Sequence, residues 1–374
     1  MMRFVSTGAG ALVLMALTGC NPWEEGSVWG LDLVTATLTS GADGKVKARI
    51  PLPTSGDTTK MLIAATTVDA DQTVYVESIE SEDGTTLRRL LSDVENDEMP
   101  SGGVVNQSIN HFNWPIDAGD AAISGESVTV VYGVVRSDNT FAPGAEIAID
   151  GLLSPDPDFS SSTLTVNLHW AGGIDEDPEI KLAVEAAVTE MKRIYEASNV
   201  VVEVTYQTFD GGALPRPGFG SPDTWEELSR STDNRAVDVV VVDTIAGSES
   251  SILGAAGSIP GGLLATAKSG VILSASANAG PDLIYSESEI LLLGGTMAHE
   301  LGHMLGLFHP VETSYERWDA LDDTEKCQNA GGCQGTLGFN LMYPTALCTS
   351  SACNVQDELT EGQVGVVQRY TGVF

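Results

Sequence analysis

Three of the five histidines in this 374-residue chain stand at positions 299, 303 and 309, in the run "HELGHMLGLFH". Their spacing restricts the fold more than any other feature. Residues four apart on an α-helix share a face, with Cβ atoms about 5–6 Å apart, so His299 and His303 aim their imidazoles at one point. Two ring nitrogens then reach a single zinc ion at about 2.0–2.1 Å each. A third ligand on the same straight helix would fall at 306 or 307, which are glycine and leucine. Gly306 can instead take the left-handed conformation that ends a helix and turns the chain back, bringing His309 to the ion. Pro310 then prevents a return to helix. Three neutral imidazoles leave a fourth position for water, as in catalytic rather than structural zinc sites. Glu300 points beside the ion, where a carboxylate can take a proton from that water.

The helix carrying these residues needs a start and a layer to pack on. Ser286 and Glu289 read as a capping box, predicting a helix from there to about Leu305. The segments "TLTVNLHW", "VVVEVTYQTF", "AVDVVVVDTI" and "SGVILSAS" read as strands, the third apolar almost throughout, as a buried sheet strand is. Asp177 and Pro178 form an N-cap and first-turn proline. The helix they open places Ile180, Val184, Ala187, Val188, Met191 and Ile194 on one face, and Asn199 closes it. Alternating strands and helices predict an α/β (or α+β) domain over residues 163–374.

Residues 20–153 have another pattern: short alternating runs such as "LDLVTATL", "KVKARIPL" and "VTVVYGVV", separated by Gly, Asp, Ser and Pro. An N-terminal all-β sandwich is expected there. The prolines, aspartates and serines of residues 154–162 read as a linker.

Residues 1–19 carry one base, Arg3, and an apolar stretch from Ala9 to Leu17 that has the length of a signal-peptide core and is too short to span a bilayer. Leu17-Thr18-Gly19-Cys20 resembles a bacterial lipobox. That resemblance implies a lipidated Cys20 and an exported, membrane-anchored lipoprotein; an ordinary signal peptide that happens to contain Cys20 is the competing reading. Carboxylates outnumber Lys and Arg 52 to 18, a formal net charge of −34, which disfavours nucleic-acid partners. The same charge also serves solubility alone. The remaining cysteines, Cys327, Cys333, Cys348 and Cys353, form an even cluster that reads as two disulfides in an exported protein, with three connectivities open. A second zinc site is the alternative, although the spacing lacks a Cys-x-x-Cys knuckle.

The motif His299-Glu300-x-x-His303-x-x-Gly306-x-x-His309 resembles that of the metzincin zinc endopeptidases. These carry a methionine-containing turn beneath the metal, and "FNLMYP", with Met342, is similar to it. "DALDDTEKC", "ELTEGQVGVVQRY" and "AAGSIPGG" resemble segments of the pappalysin-like, cytophagalysin-type branch, the second as a closing helix and the third as an edge strand. That branch places a tyrosine two residues after the methionine, whereas here Tyr343 follows Met342 directly, so Tyr343 is assigned to packing or pocket shaping. The resemblance covers residues 163–374. It implies a metzincin-like peptidase fold, one catalytic Zn2+, Glu300 as general base, and a protein or peptide substrate. The acidic runs "GIDEDPE" and "DALDDTE" are candidate Ca2+ loops, with solvated acidic loops as the plain alternative. A second functional reading is a surface binding or adhesion lipoprotein whose peptidase activity is secondary or confined to self-processing.

Overall fold

The computed structural model describes residues 22–53, 60–69, 71–90, 98–99, 108–123, 125–155, 159, 162–208, 234–245, 252–266, 268–279, 284–349, 352–353 and 355–374. The signal peptide and Cys20 lie outside the described residues. Among the described residues no helix is long and apolar enough to cross a membrane.

The first half contains β1 (Glu24–Val28), β2 (Leu31–Thr39), β3 (Lys45–Pro51), β4 (Lys60–Thr67), β5 (Gln72–Glu80), β6 (Thr86–Arg89), β7 (Ile109–Trp114), β8 (Ser127–Arg136) and β9 (Glu146–Ser154). They form two antiparallel sheets, in the orders β1-β2-β9-β4-β7 and β3-β8-β5-β6. Where one face meets the core and the other meets water, alternation is clean: Val46, Ala48 and Ile50 of β3 are buried while Lys47 and Arg49 are exposed. Both sheets contribute to one core, Ile63, Phe112 and Ile149 from the first and Val74, Val130 and Tyr132 from the second.

Strands β4 and β7 do not alternate, and all six residues of β7 are buried. The cause is a second cover on the outer face of their sheet. Leu31, Leu62 and Leu152 belong to the apolar core of the other half of the molecule. A sheet covered on both faces has no polar side to show.

The second half begins with β10 (Ser162–Trp170). Strands β9 and β10 therefore take up both ends of the stretch expected as linker. Then follow α1 (Pro178–Glu196), β11 (Val200–Thr208), β12 (Val237–Val242), β13 (Gly254–Ala256), β14 (Val271–Ser274), α2 (Ala275–Ala279), α3 (Glu287–Met304), α4 (Ala330–Leu337), β15 (Cys348–Thr349), β16 (Ala352–Cys353) and α5 (Glu361–Arg369). The large sheet runs β11-β10-β12-β14-β13, parallel except for the edge strand β13. The parallel β10/β11 pair requires a crossover, and α1 supplies it. Val184, Ala187, Met191 and Ile194 of α1 are buried with Leu293, Met297, Leu301 and Met304 of α3 in one cluster over this sheet. Each of these Val, Ile, Leu and Met side chains contributes about 1.5–3 kcal/mol.

Two elements differ from expectation. The strand expected over Ala255 to Gly262 covers only Gly254–Ala256, and beyond it Gly261 N–H turns to the carbonyl of Met304 at 2.9 Å. Helix α4 has no apolar period and three glycines. It is held at its start by Asn329, which caps Gly332 N–H, and by a disulfide between Cys327 and Cys333.

The C-terminal tail joins the halves. Thr163 and Phe374 exchange two backbone hydrogen bonds, at 2.6 and 3.0 Å, beside β10 where β12 has not yet begun to pair. The fully buried Lys60 of β4 donates to the carbonyls of Gln368 (3.2 Å) and Val373 (3.0 Å). Asn113 of β7 accepts from both N–H and Oγ1 of Thr371.

Candidate metal centre

Helix α3 starts where Ser286 and Glu289 exchange the two bonds of a capping box. Its end is built by glycine. Gly306 has φ 106°, its N–H bonds the carbonyl of His303 at 3.0 Å, and Leu307 N–H bonds that of Gly302 at 2.9 Å. These are the two bonds of a Schellman turn, which satisfies orphan carbonyls and reverses the chain. His309 returns by this route to the face that carries His299 and His303.

The three rings converge. His309 Nε2 lies 3.3 Å from His299 Nε2 and 3.2 Å from His303 Nε2. Each Nδ1 faces outward to an acceptor: the Leu341 carbonyl for His299 (2.7 Å), the Leu307 carbonyl for His303 (2.7 Å) and Glu312 Oε1 for His309 (3.1 Å). A carbonyl oxygen only accepts, so Nδ1 of His299 and His303 carries the proton and Nε2 keeps its lone pair. Burial first, and then His309, lower the His299 ring to about 4; burial holds His303 well below the ordinary imidazole value. Both rings are therefore neutral ligands near pH 7.

Two of the three nitrogen pairs have the spacing that a tetrahedral cation requires, and all three ligand atoms lie within 4.8 Å of one another. Two nitrogens at about 2.0–2.1 Å from one ion stand about 3.3 Å apart at the tetrahedral angle. Lone pairs facing one another at such distances repel unless a positive charge sits among them. Among the described residues, His299, His303 and His309 are the one group able to hold a metal ion.

Glu300 lies on the cleft side of α3. It keeps some contact with the cleft, yet its surroundings are dense enough that burial pushes its carboxyl up to about 8, opposed by a hydrogen bond from the Ala256 backbone. Gly254 permits that approach, since a Cβ there would stand 2.9 Å from Glu300 Cγ. Below the site, Met342 is fully buried, and its Sδ lies 2.5 Å from where a Cβ on Gly302 would be. The Met342 turn is fixed by Asn340, whose side chain accepts from Met342 N–H at 2.9 Å and pairs with Gln363 of α5. Tyr343 is buried and lines the cleft with its neighbour Pro344.

Cys327 and Cys333 are bonded to each other, which excludes a crossed pairing for these two. The backbone register sets Cys348 opposite Cys353. Glu312 carries no motif signal, and its role emerges only from the hydrogen bond to His309, which is the main cause of its lowered carboxyl pKa.

No protein-family model matches the sequence, and no curated protein matches it. Among solved structures, similarity is found to metalloproteinase-II from Bacteroides fragilis, at 14% identity and a TM-score of 0.28, over 49% of this chain and 54% of that one. Archaemetzincin from Methanopyrus kandleri is similar at 16% identity and 0.28, over 42% and 79%. Myroilysin is similar at 12% identity and 0.28, over 58% and 95%. This chain thus spans about half the length of the first of these.

Proposed function

We propose that the chain is a zinc-dependent endopeptidase of metzincin type. The observation that carries this reading is the convergence of three imidazole Nε2 atoms at one point with Glu300 beside them. The Schellman turn at Gly306 and the buried Met342 beneath Gly302 support the metzincin assignment. The all-β first half reads as a sandwich that braces the catalytic half.

His299, His303 and His309 would hold the ion through Nε2. Zinc in such a site supplies a Lewis acid and an acidified water. Glu300 takes the proton of the attacking water as the peptide carbonyl is opened and returns it to the leaving amine. A cation held by the neighbouring rings favours the carboxylate form of Glu300 that this role needs, against the effect of burial. The Ala256 N–H holds that carboxylate in place. Among the described residues no strand pairs with the outer side of edge strand β13, where an extended peptide can add.

The test separates ligands from base. Glu300→Ala should keep zinc near one per chain and lose about 10²–10⁴-fold or more in hydrolysis of an unfolded protein. His303→Ala should lose both metal and activity. If Glu300→Ala cleaved like the wild type, the mechanism would be wrong; zinc without any cleavage by the wild type would favour a binding protein.

A further inference from the structure

We propose that the first half of the molecule is a working part of the metal centre: Glu98 and Met99 clamp the loop that follows the third ligand, and so set how tightly the ion is held. This rests on the zinc reading of the three histidines and is independent of what the site cleaves. The three ligands are not held alike. His299 and His303 stand in successive turns of helix α3, where backbone hydrogen bonds fix them. His309 lies beyond the Gly306 turn, outside helix and strand. Its ring is oriented by Glu312, whose Oε1 lies 3.1 Å from Nδ1. A ligand on a loop is placed only as well as the loop itself.

That loop is a small hairpin. Val311 and Trp318 pair as an antiparallel bridge, Glu312 N–H bonds the Arg317 carbonyl at 2.9 Å, and Tyr315 N–H bonds the Glu312 carbonyl at 2.8 Å. A two-stranded ribbon of this size is marginal in water by itself. Tyr315 adds a cost, because its φ of 58° is a left-handed conformation that a bulky side chain adopts only when its surroundings enforce it. The hairpin therefore needs support from outside.

Support comes from two sides. Within the second half, Tyr315 packs on a small apolar cluster that includes Val311, Trp318, Cys333 and Tyr343. From the first half, Met99 N–H bonds the Trp318 carbonyl at 2.7 Å, and Glu98 pairs with Trp318 as a parallel bridge. Glu98 Oε1 also meets Lys326 Nζ at 2.6 Å. Trp318 is thus the middle of three short strands, with Glu98 and Met99 on one side and Val311 on the other. Met99 and Trp318 are both buried, and the Trp318 indole N–H is fixed by the Cys327 carbonyl at 2.9 Å. The path to the metal is short: Met99 holds Trp318, Trp318 holds Val311, and Val311 lies between His309 and Glu312 in the chain. Met99 and Tyr315 are therefore positioning residues for His309. Because clamp and ion act on one loop, each strengthens the other by the same factor.

The experiment measures zinc affinity of the full chain by competition with a chromophoric chelator, with circular dichroism as the check on folding. Met99→Pro removes the donated N–H and should weaken zinc binding by roughly 3–10-fold, the worth of one net backbone hydrogen bond. Met99→Leu keeps that N–H and the buried apolar volume, and should bind zinc like the wild type. Tyr315→Gly relieves the left-handed strain yet removes the anchor, and should weaken zinc binding although the turn itself is eased. Hydrogen exchange read by mass spectrometry tests the reverse direction in the unmutated chain. Stripping zinc should speed exchange at the Met99 amide by the same roughly 3–10-fold. Folded Met99→Pro that binds zinc as tightly as the wild type, or Met99→Leu that loses as much as Met99→Pro, would overturn the clamp and leave the zinc reading intact. So would exchange at Met99 that ignores zinc. A folded wild type that binds no zinc would overturn that reading and this proposal with it.

Discussion

His111 offers a prediction with a definite sign. It sits on β7 where the two halves meet, fully buried against the loop that carries Gly262, Thr266 and Ser269. Ser269 Oγ donates to the Leu264 carbonyl at 2.7 Å, so it accepts from Thr266 Oγ1 at 2.8 Å, and Thr266 accepts from His111 Nε2 at 3.3 Å. The ring is then neutral with its proton on Nε2, and its buried Nδ1 has no partner among the described residues. A second proton on Nδ1 would be charged, buried and unbonded. Burial, and next the charge of Lys268, accordingly lower this ring from 6.5 to about 4. The folded protein resists a proton that the unfolded chain accepts, so His111 adds stability above pH 6.5 that is lost as the pH falls toward 4. At about 1.4 kcal/mol per pH unit, a gap of roughly 2.5 units corresponds to about 3.5 kcal/mol, of which about 3 kcal/mol is lost by pH 4. His111→Gln keeps a donor near the Nε2 position and removes the titration. Urea unfolding of both proteins from pH 7.5 to 4 isolates the effect, because titrations common to both cancel in the difference. The wild type should lose about 3 kcal/mol more than the variant over that range. Parallel pH profiles would refute the assignment.

Two further perturbations probe the site and the junction. Glu312→Gln removes the carboxylate that accepts from His309 Nδ1, and should weaken zinc binding by about 10–100-fold in competition with a chromophoric chelator while leaving the fold unchanged. Lys60→Ala deletes a buried stem and strands the Gln368 and Val373 carbonyls, and should destabilise the chain by about 3–5 kcal/mol in urea unfolding.

The parts of this molecule that sequence reveals are those decided by neighbours a few residues away. The capping box of Ser286 and Glu289, the N-cap of Asp177 and the ligand spacing of His299 and His303 are all local, and the structure shows each in place. Parts decided by distant contacts carry no such mark. Lys60 looks like a solvated strand lysine until the tail 308 residues away closes over it. Helix α4, with its three glycines, lacks the composition of a helix and depends on a cap and a disulfide. His111 and Glu312 belong to no motif, and only their partners give them a role.

The glycines around the metal centre show the same division within one helix. Gly306 is readable because the need for a left-handed turn follows from the position of the next histidine. Gly302, inside the motif itself, looks like a neutral spacer; its cause is Met342, forty positions on, whose sulfur fills the volume a side chain would take. Gly294 answers to α1, a hundred positions earlier, and Gly295 answers to empty space. Adjacent and chemically identical, the last two should therefore respond oppositely to the same substitution. An added methyl at 294 presses on a backbone carbonyl that cannot yield cheaply, whereas at 295 it meets no atom of the described residues within 4 Å and gains about 1 kcal/mol of helix propensity. What distinguishes the two glycines is the occupant of the missing side chain's volume, and that occupant is set by the fold.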